Sequence, residues 1–333
     1  MKVGAPRGAV DHVRQSSYSR PGRHAPLLTN AISGEGHLVQ RLSMLARNVI
    51  VHYRASGESL PGATAGDIHL RRLEDILETD QSRHGSPLTA PRKITERVQG
   101  CCRDHTLFCV GALRQLGVPA RSRVGFATYL SPTWNHDHVI VEVWMEGRWR
   151  RFDPEIADPF DALPTPMDIP AGPGAPFLSA AQVWLGHRDG SLDAARFGVA
   201  EGSPLAGDWF VFNYVIDEVA HRFGDELLLW DLWGAKVNDV SRARPGDLDL
   251  IDHVARLLLA SDEGDQQAEH DLLALYTEDA RLHPGRSIAR SGQRIAVTDD
   301  RPAGSAAQER VSGIPGVRRV GHDDPGGCLS RSR

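Results

Sequence analysis

The chain has 333 residues, of which 41% are hydrophobic and 24% charged, with a formal net charge of −5. These are globular proportions in a length that suits one elaborated domain or two smaller ones, and the charge balance gives no reason to expect a nucleic acid or a membrane as partner. Four cysteines in such a length are too sparse for a secreted disulfide framework, no run approaches the roughly 18 apolar residues of a membrane span, and the N-terminus carries no apolar signal segment, so a cytoplasmic setting is expected.

Residues 1–25 are polar and rich in Gly, Arg and Ser, and are expected to be disordered. Leu38, Leu42, Leu45 and Val49 recur at helical spacing, with Ile50 and Tyr53 continuing the stripe, which predicts a helix. Leu70, Leu73, Ile76 and Leu77 predict a second within "HLRRLEDILETDQSR". From Cys102 to about Leu116, the positions of Leu107, Val110, Leu113 and Leu116 suit a third. Gly117 is a left-handed stop for that helix, and Pro119 cannot continue it. "ARSRVGFATYL" reads as a strand, and "DHVIVEVWMEGRWRRFDPE" as a β-hairpin turning at Glu146-Gly147. Residues 156–175 form a Pro- and Gly-rich connection, and residues 176–283 are helical in character. Trp184, Trp209, Trp230 and Trp233 fall there, and such side chains need burial. Residues 26–160 and 176–283 are therefore expected to be a core and a helical C-terminal lobe bordering its cleft, with Trp230 and Trp233 in the lobe's interior. Residues 284–333 lose their large apolar side chains and are expected to be an unstructured tail.

Cysteine catalysis needs a thiolate, a base or cation that generates it, and a group that orients the base. "GCCRDH" places cysteines where the third helix starts, and the exposed N–H groups of a helix N-terminus favour negative charge. His138 opens one hairpin strand and Asp153 closes the other. Counted from the turn, the two are expected to lie opposite each other near the open end, with Cβ atoms roughly 4.5–5.5 Å apart. Adjacent helical side chains diverge by about 100°, so one of Cys101 and Cys102 is expected to face His138.

Gly100-Cys101-Cys102-Arg103-Asp104, "LGVPAR" at 116–121, "HVIVEVW" at 138–144, and Trp149 with "FDPE" at 152–155 together resemble the transglutaminase-like superfamily. The resemblance implies an α+β, papain-like core in which a cysteine-bearing helix packs on an antiparallel sheet, and a Cys-His-Asp triad. Aligning Gly100 and Asp104 with the family pattern selects Cys102 as nucleophile, with His138 as base and acid and Asp153 as orienting carboxylate. The implied activity is acyl transfer or hydrolysis on an amide, with a peptide, amide or small acyl compound as substrate. Neither a cofactor nor a metal is expected. The backbone N–H of Cys102 is the expected first oxyanion donor, with Gln99 and Trp134 as candidates for a second.

Other functions compete with this one. The fold also serves non-catalytic binding proteins, and arylamine-acetyltransferase-like enzymes use a similar triad on thioester donors. A metal site from Cys102, His136 and His138, with His105 nearby, is the third alternative, weakened because no C-x-x-C or H-E-x-x-H motif is present. Cys109, two turns after Cys102, is expected in the core, and Cys328 is incidental. Asp104 is expected to support the first helical turn, Arg121 to pair with a core carboxylate, and His136 to lie in a loop at the rim.

Overall fold

The computed structural model describes residues 8–34, 36–285, 287–290 and 293–296. Helix α1 (Ala25–Ile32) leads into α2 (Leu38–Val49). The stripe expected to continue through Ile50 and Tyr53 instead turns extended at β1 (Ile50–His52). Three consecutive β-branched residues, Val49-Ile50-Val51, are stiff at χ1 and favour that change. Helix α3 (Leu73–His84) starts later than its apolar stripe predicts, because Gly62–His69 form a 3-10 turn before it. Strand β2 (Val98–Gly100) then pairs in parallel with β1, Ile50 against Val98 and His52 against Gly100.

Helix α4 (Cys102–Gln115) lies at the centre. Phe108, Cys109, Val110 and Leu113 are fully buried, each large apolar side chain contributing about 1.5–3 kcal/mol. The helix closes as the sequence predicts: Val118 N–H donates to Leu113 C=O at 2.9 Å and Gly117 takes φ 73°, a left-handed position that costs glycine least. Strands β3 (Ala120–Ala127), β4 (Asn135–Met145) and β5 (Arg148–Phe152) follow. Glu146 and Gly147, both at positive φ, make the two-residue turn of the β4–β5 hairpin. Strand β6 (Phe177–Ser179) joins the other side of β3, giving the order β5-β4-β3-β6.

Ser179 caps helix α5 (Ala180–Asp189). Strand β7 (Phe197–Gly198) pairs in parallel with the start of β4. Helices α6 (Asp208–Arg222), α7 (Asp247–Asp262) and α8 (Gln266–Glu278) complete the helical part, and a hairpin of β8 (Ser287–Arg290) and β9 (Gln293–Ala296) comes after it. The result is an α+β core with additional C-terminal helices, α6 packing directly on β3. Among the described residues, no helix is long and apolar enough to cross a membrane.

Two segments expected to be disordered carry structure. In the first, Tyr18 is 3% exposed, Gln15 Nε2 donates to Gly111 C=O at 2.8 Å, and Arg114 Nη1 donates to Ser19 Oγ at 2.9 Å. Its polar residues are used up satisfying α4 rather than solvated. In the second, Ser287–Arg290 and Gln293–Ala296 pair antiparallel as β8 and β9, with Ile288 buried. Residues 297–333, including Cys328, lie outside the described residues.

Candidate active site

The N-terminus of α4 is built by the residues around its cysteines. A Cβ at Gly100 would stand 2.9 Å from Asp104 Oδ2 and 3.0 Å from Ile50 Cγ2, so glycine is what lets β2 lie beside β1 while the helix cap closes. Cys101 is the N-cap, and its backbone N–H donates to Asp104 Oδ2 at 2.8 Å. That is the first-turn role expected of Asp104, and Arg103 Nη1 holds its other oxygen at 2.7 Å. Cys102 is the first helical residue, where backbone N–H groups have no partner within the helix.

His138 lies on β4 opposite Gly125. The hairpin register sets Val141 against Phe152, and its extension puts Ile140, not His138, across from Asp153. The expected direct opposition is therefore off by two residues, and the pair meets on the diagonal of one sheet side. Beyond the ladder the chain turns away, and Asp153 N–H donates to Pro166 C=O at 3.0 Å. The pair still forms, with His138 Nε2 2.7 Å from Asp153 Oδ2. Tyr129 Oη donates to the same oxygen at 2.6 Å, and Glu155 N–H donates to Oδ1 at 2.9 Å. Asp153 is fully buried and so satisfied on both oxygens.

Burial by itself would make His138 less basic, but the charge and hydrogen bond of Asp153, with Glu155 and Asp137 nearby, prevail and push its pKa up to about 9. Cys102 moves the unfavourable way for a thiolate. Its hydrogen bond with Cys101, its burial and the negative charge of Glu155 and Asp137 hold its thiol well above the usual range. A resting thiolate–imidazolium pair is thus opposed by that hydrogen bond, by burial and by the neighbouring carboxylates.

His105, expected only as a neighbour of the alternative metal site, and Glu155, given no role from sequence, complete the cluster. His105 lies one turn after Cys101, and its Nδ1 is 3.0 Å from the Cys101 carbonyl and 2.9 Å from Glu155 Oε1. Glu155 Oε2 is 4.0 Å from His138 Nδ1. Burial would raise the Glu155 pKa, yet His105, His52 and His138 hold it below the usual carboxylate range. The signal was available: positions four apart on a helix share a face, which ties His105 to Cys101, and Glu155 is two residues from Asp153.

Cys101, Cys102, His105, His138 and Glu155 line a cleft of about 1440 Å³. Both neighbouring cysteines reach it, rather than one alone, since Cys101 belongs to the extended cap and not to the helix. Trp209, Tyr214 and Trp230 close it from the C-terminal side. Trp230 is therefore a cleft residue rather than an interior one, whereas Trp233 is buried with its Nε1 donating to Leu282 C=O at 3.0 Å. His136 also lines the cleft, but on β4 rather than in a loop. Neither candidate second oxyanion donor is available. Gln99 Nε2 donates to Pro61 C=O and Thr64 Oγ1, and Trp134 Nε1 donates to Gly198 C=O. Cys109 is fully buried, and Arg121 pairs with Glu142 at 2.7 Å.

His138, Asp153 and Glu155 bring ligand-type atoms within 4.8 Å of one another. The Asp153 oxygens and His138 Nε2 are already joined by hydrogen bonds, so the arrangement is that of an oriented imidazole. His136, named with Cys102 and His138 in the metal alternative from sequence, has its Nδ1 3.0 Å from the Val199 carbonyl.

Residues 28–154 match the family model of the transglutaminase-like superfamily. The matched span runs from α1 to the residue after Asp153. Among solved structures the chain is similar to a "putative cysteine protease" from Cytophaga hutchinsonii, at 19% identity and a TM-score of 0.29. The alignment covers 45% of each chain, so this chain spans less than half of that protein. No curated protein matches significantly.

Proposed function

We propose that this protein is a cysteine-dependent acyl-transfer enzyme acting on amides, with Cys102 as nucleophile, His138 as base and acid, and Asp153 as the carboxylate that orients the ring. The observation that carries this is the buried 2.7 Å contact from His138 to Asp153, beside a cleft that also holds a cysteine at a helix N-terminus. Asp153 engages Nε2, which leaves Nδ1 toward the cleft. Once the site has lost one proton, neutral His138 takes the Cys102 proton and the thiolate attacks the carbonyl. His138 then protonates the leaving amine, leaving an acyl-thioester that water or an amine resolves. The backbone N–H of Cys102, at the first helical position and without an intrahelical partner, is the proposed oxyanion donor.

The cleft exceeds the roughly 300–1,000 Å³ of small-molecule sites, which favours an extended substrate such as a peptide over a small acyl donor. Cys101, Cys102 and Cys109 are all free thiols, in keeping with a reducing cytoplasm. Turnover of peptide amides by wild-type, Cys102→Ala and Cys101→Ala proteins tests the assignment, with mass mapping of the acyl adduct. Cys102→Ala is expected to lose at least about 10³-fold in kcat, the scale of removing a covalent nucleophile, and Cys101→Ala to keep most activity. An adduct on Cys101, or turnover surviving in Cys102→Ala, would overturn the assignment. Unreactive thiols at every pH would leave a binding protein of the same fold.

A further inference from the structure

Glu155 is a half-buried carboxylate on the cleft wall, and its place between two histidines suits a task that the Cys102–His138–Asp153 reading does not give it. Oε2 stands 4.0 Å from His138 Nδ1, the nitrogen that must receive the Cys102 proton. Oε1 is 2.9 Å from His105 Nδ1 but has no hydrogen-bond partner among the described residues, because that ring N–H is aligned on the Cys101 carbonyl at 3.0 Å. The His138 ring thus has a carboxylate on each nitrogen, Asp153 on one and Glu155 on the other.

We propose that Glu155 is a positioning residue that keeps the site in a resting state, holding a proton on His138 Nδ1 and a neutral thiol on Cys102, and that His105 is the counter-charge setting the strength of this hold. This rests on the assignment of Cys102 and His138 as reacting groups. The groups facing Glu155 are Cys101 from the cap of α4, Cys102 and His105 from α4, His52 from β1, Asp137 and His138 from β4, Tyr129 after β3, Asp153 on its own segment, and Arg47 of α2, which donates to the adjacent Ile156 carbonyl. Of the carboxylates, Asp137 accepts from Tyr214 Oη at 2.5 Å and Asp153 from three donors, whereas Glu155 Oε1 is a buried oxygen without a hydrogen bond. Its negative charge favours both protons of the resting state, since it raises the basicity of His138 and of Cys102 together. Activation then consists of one proton leaving His138 for solvent, after which the Cys102 proton crosses to Nδ1.

Iodoacetamide labelling of the full-length protein across pH, mapped by peptide mass, reads this directly. Glu155→Gln is expected to move the Cys102 labelling midpoint down by about one pH unit, roughly a tenfold faster reaction at neutral pH. Glu155→Asp, which keeps the charge, should stay near wild type. His105→Gln, which removes the competing cation, should move the midpoint up. Cys109 reports on folding, and a merely loosened protein would label it faster without a shift specific to Cys102. An unchanged midpoint in Glu155→Gln, or a downward shift in His105→Gln, would overturn the proposal; were Glu155→Gln insoluble, the direction in His105→Gln decides alone. The readout is thiol titration rather than turnover, so an inactive protein with the expected shifts refutes the enzymatic assignment and not the hold by Glu155.

Discussion

Two of the charge clusters among the described residues differ in their cations. Between the sheet and the C-terminal helices, Glu142 accepts from Arg121 at 2.7 Å, Arg151 at 2.8 Å and Arg123 at 3.2 Å. Arg123 also reaches Glu218 at 2.8 Å, and Arg222 joins Asp262 at 2.8 Å to Glu269 at 3.2 Å. Guanidinium groups keep their proton throughout the working range, so this cluster fixes β3, β4 and β5 to α6, α7 and α8. At the cleft the carboxylates Asp153 and Glu155 face imidazoles instead. Imidazole changes charge near neutral pH, so the same kind of burial there produces groups that move protons. Glu218 is the exception in the arginine cluster, since burial outweighs Arg123 and lifts it to about 7.

The comparison can be broken most severely at Glu142. Glu142→Gln would leave Arg121, Arg123 and Arg151 short of their shared buried carboxylate, and should cost about 3–5 kcal/mol in urea unfolding. A loss below about 1 kcal/mol would mean that the cluster is not a structural clamp. Next in size is the pH dependence of the cleft. The folded pKa of His138, about 9, lies above its unfolded value near 6.5. Its contribution is therefore complete below pH 6.5 and disappears as pH rises through 9, up to roughly 3 kcal/mol. Asp153→Asn should flatten that part of the stability curve, and subtracting the two curves removes the contribution of Glu218. Equal slopes in the two proteins would show that the His138–Asp153 pair is not titrating. The smallest effect belongs to Tyr129→Phe, which removes one hydrogen bond to a charged oxygen. It should lower stability by about 1.5 kcal/mol at neutral pH, and no measurable change would mean that Asp153 is held adequately by His138 and the Glu155 N–H.

Much of the central structure was legible from local chemistry. Gly117 and Pro119 marked the end of α4, Glu146-Gly147 marked the hairpin, and the spacing from His138 to Asp153 brought the right pair together. The hairpin register was legible too, though the expected opposition missed it: the turn at Glu146-Gly147 sets Met145 against Arg148, and the same ladder runs on to Ile140 against Asp153, so His138 meets Asp153 diagonally. The β1–β2 pairing was invisible, since its partners are separated by 48 residues and each strand has only three. Residues 8–25 look soluble by composition. Their hydroxyl and amide groups are instead partners for buried donors and acceptors of α4, and composition cannot tell those two uses apart. Likewise, the arginines of β3 read as a polar strand until α6 and α7 supply their acids.

The N-terminal segment also bears on the order in which the protein can finish folding. Ala9 N–H donates to Glu269 Oε2 at 3.1 Å, a contact between residues 260 apart in the chain. Contacts so distant in sequence carry a loop-closure cost and form late. During synthesis Ala9 leaves the ribosome well before α8 and must wait for it to emerge before this contact can form. Until then Gln15, Tyr18 and Ser19 can settle on α4, so the segment docks at one end of its path while the other end is still without its partner.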